Sequence, residues 1–228
     1  MPRTARIAPG GFVYHVMNRG NARGIVFGDK HDYEVFKEIM RETQHRLQMR
    51  LLAYCLMPNH WHIVVWPREE GELATFIHRL TVTHVRRWHL QRDSVGTGHL
   101  YQGTYKSFPV QRDDHLFTVL RYVERNPLRA NLVKRAQDWC WSSLWQRGHP
   151  RFADQHPDLA PWPIGCPRDW ITRVNRPQTA EELDALRKAT VRGQPFGTSR
   201  WRLRTAKRLR LESTLRPIGR PRKQAVLV

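Results

Sequence analysis

The chain has 228 residues, with 39 Lys and Arg against 20 Asp and Glu, for a formal charge of +19 before its 12 histidines are counted. At 40% hydrophobic and 10% aromatic it has enough apolar side chain to bury a core, which excludes full disorder, and its length bounds it to one substantial domain or one with a modest appendage. The charge points to a polyanionic partner, nucleic acid by default, because each phosphate neutralised releases a condensed counterion.

Residues 12–18 mix β-branched and aromatic side chains and run into Arg19-Gly20-Asn21, which predicts a strand ending in a turn. From Asp32 to Leu47 the apolar positions Val35, Phe36, Ile39, Met40 and Leu47 recur at helical spacing. Two short apolar runs follow, 51–57 and 60–66, punctuated by Pro58-Asn59, and predict adjacent strands. A second amphipathic stripe runs from Leu73 through Phe76, Ile77, Leu80 and Val85 to Trp88. Beyond the Gly96 to Gly103 loop, residues 104–111 form a further strand, and Asp113 and Asp114 offer an N-cap for a helix through Leu116, Val119, Leu120 and Val123. The order β-α-β-β-α-β-α predicts an α+β fold, a ferredoxin-like, RRM-like split βαβ antiparallel sheet with its helices on one face.

Composition divides the rest of the chain. Residues 1–145 hold the αβ domain. Residues 146–178, rich in proline, form a linker that is either flexible or ordered by packing. Residues 179–228 form a basic C-terminal extension, helical or extended. Thr179 to Glu182 has the pattern of a capping box, and Thr198 or Ser199 can cap a second helix over residues 201–211. From Phe196 onward ten Lys and Arg face one acid, Glu212, and Gly219-Arg220-Pro221-Arg222-Lys223 resembles the insert of minor-groove AT-hook peptides. Phosphate contact suits such a tail better than base reading. Cys55, Cys140 and Cys166 make neither a disulfide framework nor a CxxC pattern. With no apolar window of membrane-spanning length and no apolar signal segment, the expectation is a cytoplasmic, nucleoid-associated protein.

The chemistry centres on Pro58-Asn59-His60-Trp61-His62. On a strand His60 and His62 project to one side and Trp61 to the other, so two imidazoles share a surface at a spacing that suits a divalent cation. Tyr122 and Asn126 stand four apart and share a helical face. Asn126 can add a neutral oxygen to the two histidine nitrogens, leaving positions open on an octahedral ion, while the phenol of Tyr122 can attack phosphorus. The same residues also fit a plainer arrangement, with histidines decorating a half-exposed strand, a tyrosine ring in the core and an asparagine at a helix end.

Three blocks in order bear on that choice: Tyr14-His15-Val16 with Arg19-Gly20-Asn21, the segment from Tyr54 to His62, and Arg121 to Ala130. Together they resemble the single-tyrosine transposases with a His-hydrophobic-His motif, and most closely the REP-associated tyrosine transposases, over residues 1 to 145. The resemblance implies that His60 and His62 bind Mg2+ or Mn2+, that Tyr122 is the nucleophile, and that Asn126 is the third ligand, where insertion-sequence relatives often have Gln. It also implies a substrate: single-stranded DNA bearing a hairpin, cut to a 5′-phosphotyrosine and a free 3′-OH and then rejoined. Candidate DNA contacts are Arg19 and Asn21 after the first strand, Arg79, Arg86 and Arg87 on the second helix, Tyr105, Lys106 and Arg121, and Arg220, Arg222 and Lys223 in the tail. No membrane or small-molecule partner is expected, and the basic tail favours a monomer. The rivals are a replication or transfer initiator that nicks without rejoining, and a non-catalytic binder of hairpin nucleic acid.

Overall fold

The structure, a computed structural model, describes residues 8–216. Four strands, β1 (Val13–Arg19), β2 (Leu51–Met57), β3 (His60–Val65) and β4 (Lys106–Val110), form one antiparallel sheet in the order β2-β3-β1-β4. This is the split βαβ order. Helix α1 (Lys30–Leu47) begins where the Asp29 carboxylate accepts from the Asp32 amide, and α2 (Glu72–Leu90) returns the chain to β4. Their apolar stripes, among them Phe36, Ile39, Phe76 and Leu80, pack on Tyr14, Val16, Trp61 and Ile63 of the sheet.

The helices are not confined to that face. Helix α3 (Asp114–Glu124), capped by Asp113, lies across the other side, where Leu116, Val119, Leu120 and Val123 pack on Val13, Ala53, Cys55, Val64 and Phe108. The reason is written in β2, whose seven residues are all buried: a strand apolar at consecutive positions needs cover on both faces. Helix α4 (Asn126–Arg129) follows after Arg125, with Pro127 inside its first turn.

Residues 146–178 pack chiefly on this second face, although His156 and Asp158 reach Lys37 and Gln44 of α1 and Leu159 packs with the first core. Helix α5 (Ser143–Gly148) and α6 (Trp170–Asn175) add Leu144, Trp170 and Val174 to the core. The buried Glu124 carboxylate ties these pieces together, accepting from Ser143 Oγ at 2.6 Å and Trp170 Nε1 at 2.7 Å. Helix α7 (Ala180–Arg192) starts at the expected capping box of Thr179 and Glu182, and α8 (Ser199–Arg208) starts at Thr198; a short α9 (Glu212–Leu215) ends the described chain. Later backbone also lies along both outer strands. Leu159 and Ser142 bridge to Leu51 and Cys55 of β2, and Phe196 bridges to Val110 of β4. The tail positions Arg220, Arg222 and Lys223 lie outside the described residues.

Candidate active site

The sheet register builds the site. β1 pairs with β3 so that Met17 faces His62 and Arg19 faces His60. His60 and His62 project together, their ring centroids 5.0 Å apart, while Trp61 between them enters the opposite core. There the Trp61 Nε1 donates to the Tyr101 hydroxyl at 2.9 Å, and that hydroxyl lies 2.8 Å from His84 Nδ1. Burial holds His84 down to about 3, so it is neutral and accepts the phenol hydrogen. This chain of bonds fixes β3 from behind and leaves Tyr101 buried, where bases cannot stack on it.

α3 covers the histidine pair, so they do not decorate an open strand: His60 is 9% and His62 2% exposed. The half-buried Tyr122 ring stands edge-on to His62 with centroids 5.6 Å apart. Asn126 is buried, and its Nδ2 lies 3.3 Å from His60 Nε2. The four residues expected from the sequence therefore meet in one place, although α3 ends at Glu124 and Asn126 opens the next helix.

Three further residues complete the cluster. His15 is fully buried, with Nε2 2.8 Å from His62 Nδ1. Asn59 Oδ1 sits 2.6 Å from His60 Nδ1. Arg129 donates from Nη2 to Asn126 Oδ1 at 3.0 Å and lays its guanidinium 4.3 Å from the Tyr122 ring centroid. Arg129 lies three residues past Asn126, a helical spacing visible in the sequence; His15 shares a face with His62 only through the β1–β3 register.

The donor set fits a divalent cation. Burial holds His60 down to about 3, with the charges of Arg19 and Arg129 adding to the effect, and it holds His62 well below the ordinary imidazole range, helped by His60 and His15. Both are neutral and keep a lone pair. With Nδ1–H of His60 given to Asn59, and Nδ1–H of His62 given to His15, each Nε2 keeps a lone pair, that of His60 accepting from Asn126 Nδ2; outer partners commonly orient metal-binding histidines this way. That tautomer leaves the buried Nδ1 of His15 without a partner among the described residues. No three His, Cys, Asp or Glu side chains are placed to share a cation among the described residues, and the side chain beside His60 Nε2 is that of Asn126. Because arginine only donates, Asn126 turns its oxygen to Arg129 and its nitrogen to His60; ligation through oxygen requires that amide to turn over or to share Oδ1.

The remaining candidates divide. Asn21, Arg86 and Tyr105 line one cavity of about 850 Å3 between α2 and the loop before β4, next to Asn18 at the end of β1. Arg79 is exposed on α2 and Lys106 at the start of β4, while Arg19 keeps a buried Nε without a partner among the described residues. Arg87 is instead ion-paired with Glu38 and Glu42 of α1, and Arg121 with Glu182 of α7. Among the described residues no helix is long and apolar enough to cross a membrane.

A family model described as "Transposase IS200 like" matches residues 10–126, just over half of the chain. Among solved structures, that of a REP-associated tyrosine transposase bound to a REP hairpin shares 16% identity, covering 73% of this chain and 98% of the other with a TM-score of 0.48. A crystal structure of a protein from Deinococcus radiodurans R1, provisionally described as a transposase, shares 17% identity over 69% of this chain and 98% of the other, with a TM-score of 0.37. The comparison with curated proteins finds none that matches.

Proposed function

The chain belongs to the IS200-like transposase family, and from that membership we propose that it cuts and rejoins single-stranded or hairpin DNA through Tyr122. The observation that carries the proposal is the convergence of Tyr122 with His60, His62 and Asn126 on the α3 side of the sheet.

In the first step Tyr122 Oη bonds to phosphorus as the bond from phosphorus to the 3′ oxygen breaks. The phenol gives up its proton and the departing 3′ oxygen gains one. The 5′-phosphotyrosine keeps the strand activated, because a phenol of pKa about 10 leaves more readily than a sugar alcohol. A 3′-OH from another end then attacks phosphorus, remakes the phosphodiester and returns the phenol. A divalent cation, Mg2+ or Mn2+, held by His60, His62 and the oxygen of Asn126, would supply polarisation of the phosphodiester. Arg129 positions both Asn126 and the Tyr122 ring. A hairpin of the REP type is the favoured substrate, in keeping with the three sequence blocks described above.

The test is covalent trapping. With hairpin DNA and Mn2+ the wild type gives a protein–DNA adduct on a denaturing gel, EDTA abolishes it, and Tyr122→Phe gives none while still shifting the DNA on a native gel. An adduct that survives Tyr122→Phe overturns the assignment. Tight binding that is indifferent to EDTA, with no scission, marks a binder rather than an enzyme.

A further inference from the structure

The end of the sheet opposite Arg19 and His60 carries a second concentration of positive charge. A cleft of about 460 Å3 opens there beside Phe12, just before β1, and Val110, the last residue of β4. Arg112 enters it from the β4–α3 connection, and Arg204 and Arg208 enter it from α8, all three exposed. Its remaining wall is aromatic: Phe12 and Trp201 have ring centroids 6.3 Å apart, and the Arg208 guanidinium lies 5.1 Å from the Phe12 ring.

The cleft lacks counter-charge, whereas Arg87, Arg92 and Arg121 each meet a carboxylate. No Asp or Glu lines the cleft, and among the described residues none of its three arginines has a carboxylate in ion-pair reach. The undescribed ends, 1–7 and 217–228, contain no Asp or Glu to supply one. The neighbouring acid, Asp113, is spent on its own helix, accepting from the amide and ring of His115. Beside the cleft the guanidinium of Arg50, stacked 3.7 Å from the Trp66 ring, is held below its ordinary range by burial and by the charges of Arg68 and Arg112, against the opposing charge of Glu72.

The sequence of α8 sharpens the point. Arg200, Arg204 and Arg208 recur every fourth residue and so form a row, about 6 Å apart along the axis. Like charges at that spacing destabilise an isolated helix. A row of cations flanked by aromatic rings follows a chain of phosphates better than it cages one ion.

We propose that the Arg112–Arg204–Arg208 cleft is a second phosphate-binding site, which holds the backbone of the DNA at the end of the sheet away from Tyr122. The identity of that DNA rests on the function proposed above. Tyr122 stands against His15 and His62, and from Phe12 to His15 and on to Met17, which faces His62, the strand advances about 10–17 Å, equivalent to about three to five base pairs at 3.4 Å per step. We assign the cleft to the stem of a hairpin, which is rigid over that span, with the cleavage-site strand at Tyr122.

The test compares two fluorescent DNAs on the full chain: a hairpin with a stem of about ten base pairs, and its single-stranded flank alone. In Arg204→Ala/Arg208→Ala the hairpin affinity falls at least tenfold, and the slope of log affinity against log salt becomes shallower by about 0.9 for each phosphate no longer neutralised. Binding of the flank stays as in the wild type, and Lys at both positions restores the slope. Lys30→Ala/Arg41→Ala, which removes the same charge from α1, leaves the hairpin slope unchanged. An unchanged hairpin slope in the α8 variant, or an equal loss for the flank, overturns the proposal. Deoxythymidine monophosphate that raises the melting temperature of the wild type but not of the variant, with hairpin affinity unaltered, assigns the cleft to a free nucleotide and also overturns it. The adduct assay separates the two readings: no adduct with a changed slope removes Tyr122 chemistry and keeps the cleft, and an adduct with an unchanged slope does the reverse.

Discussion

His15 Nε2 lies 2.8 Å from His62 Nδ1 in a pocket sealed from solvent. His62 can offer Nε2 to a cation only if its hydrogen sits on Nδ1, and His15 is the group placed to accept it. His15→Phe removes that acceptor and lowers Mn2+ affinity about 10–100-fold, the range usual for partners behind metal-binding histidines. His15→Gln, which still offers an oxygen, recovers part of it. Isothermal titration of the DNA-free protein with Mn2+ reads both. Equal affinity in wild type and His15→Phe removes His15 from the site.

Arg129 acts on two of the four central residues at once, donating to Asn126 and covering the Tyr122 ring. Arg129→Ala slows adduct formation by about 10–100-fold, equal to about 1.4–2.7 kcal/mol of barrier. Arg129→Lys recovers little, because an ammonium cannot reproduce the planar fork over the ring. Single-turnover rates at saturating DNA decide it, and a wild-type rate in Arg129→Ala refutes the role.

Gly20 is required for its lack of a side chain. A Cβ there would come within 2.2 Å of the Gly24 carbonyl oxygen, and the Gly20 amide donates to Asn59 at 2.9 Å. Gly20→Ala therefore displaces the turn that carries Asn59, the partner of His60. It costs about 1–3 kcal/mol in urea denaturation and weakens Mn2+ binding as well. Gly148→Ala, with open space around the added carbon, is neutral within about 0.5 kcal/mol.

Acid sensitivity is built into the start of α1. Burial raises the Asp32 pKa, but the hydrogen bonds from Arg92 and the Gly28 amide outweigh it, so the carboxyl ionises below its ordinary value. A depressed folded pKa stabilises the protein above the unfolded value, about 3.9, and that stability is lost as pH falls through the folded value. Asp32→Asn is less stable than wild type by about 1–3 kcal/mol at pH 7, and the gap narrows below about pH 4. A gap that is constant with pH in chemical denaturation excludes the ion pair as its source.

The strands and first two helices are legible because their periodicities are unmixed: β2 is apolar throughout, and α1 carries a single stripe at helical spacing. The cover on the second face is legible only indirectly. An unbroken apolar run in β2 implies two buried faces, but α3 follows an outer strand and its stripe fits either side. The bonds of Tyr101 to Trp61 and of Arg92 to Asp32 span 40 and 60 residues of chain, which no local pattern shows. Residues 146–178 have no period to read, since single anchors such as Trp170 hold them through contacts distant in the chain. Tyr122, His60, His62 and Asn126 are visible together because the two histidines share one strand and the other two stand one helical turn apart, whereas His15 joins them only across strands.

The chain segments laid along β2 and β4 also govern self-association. A bare outer strand is a template on which another copy can continue the sheet. Here Leu159, Ser142 and Phe196 already occupy those hydrogen-bonding rims, and Pro109 removes one donor from β4. Among the described residues, a second copy adding a strand at those positions would first have to displace these segments.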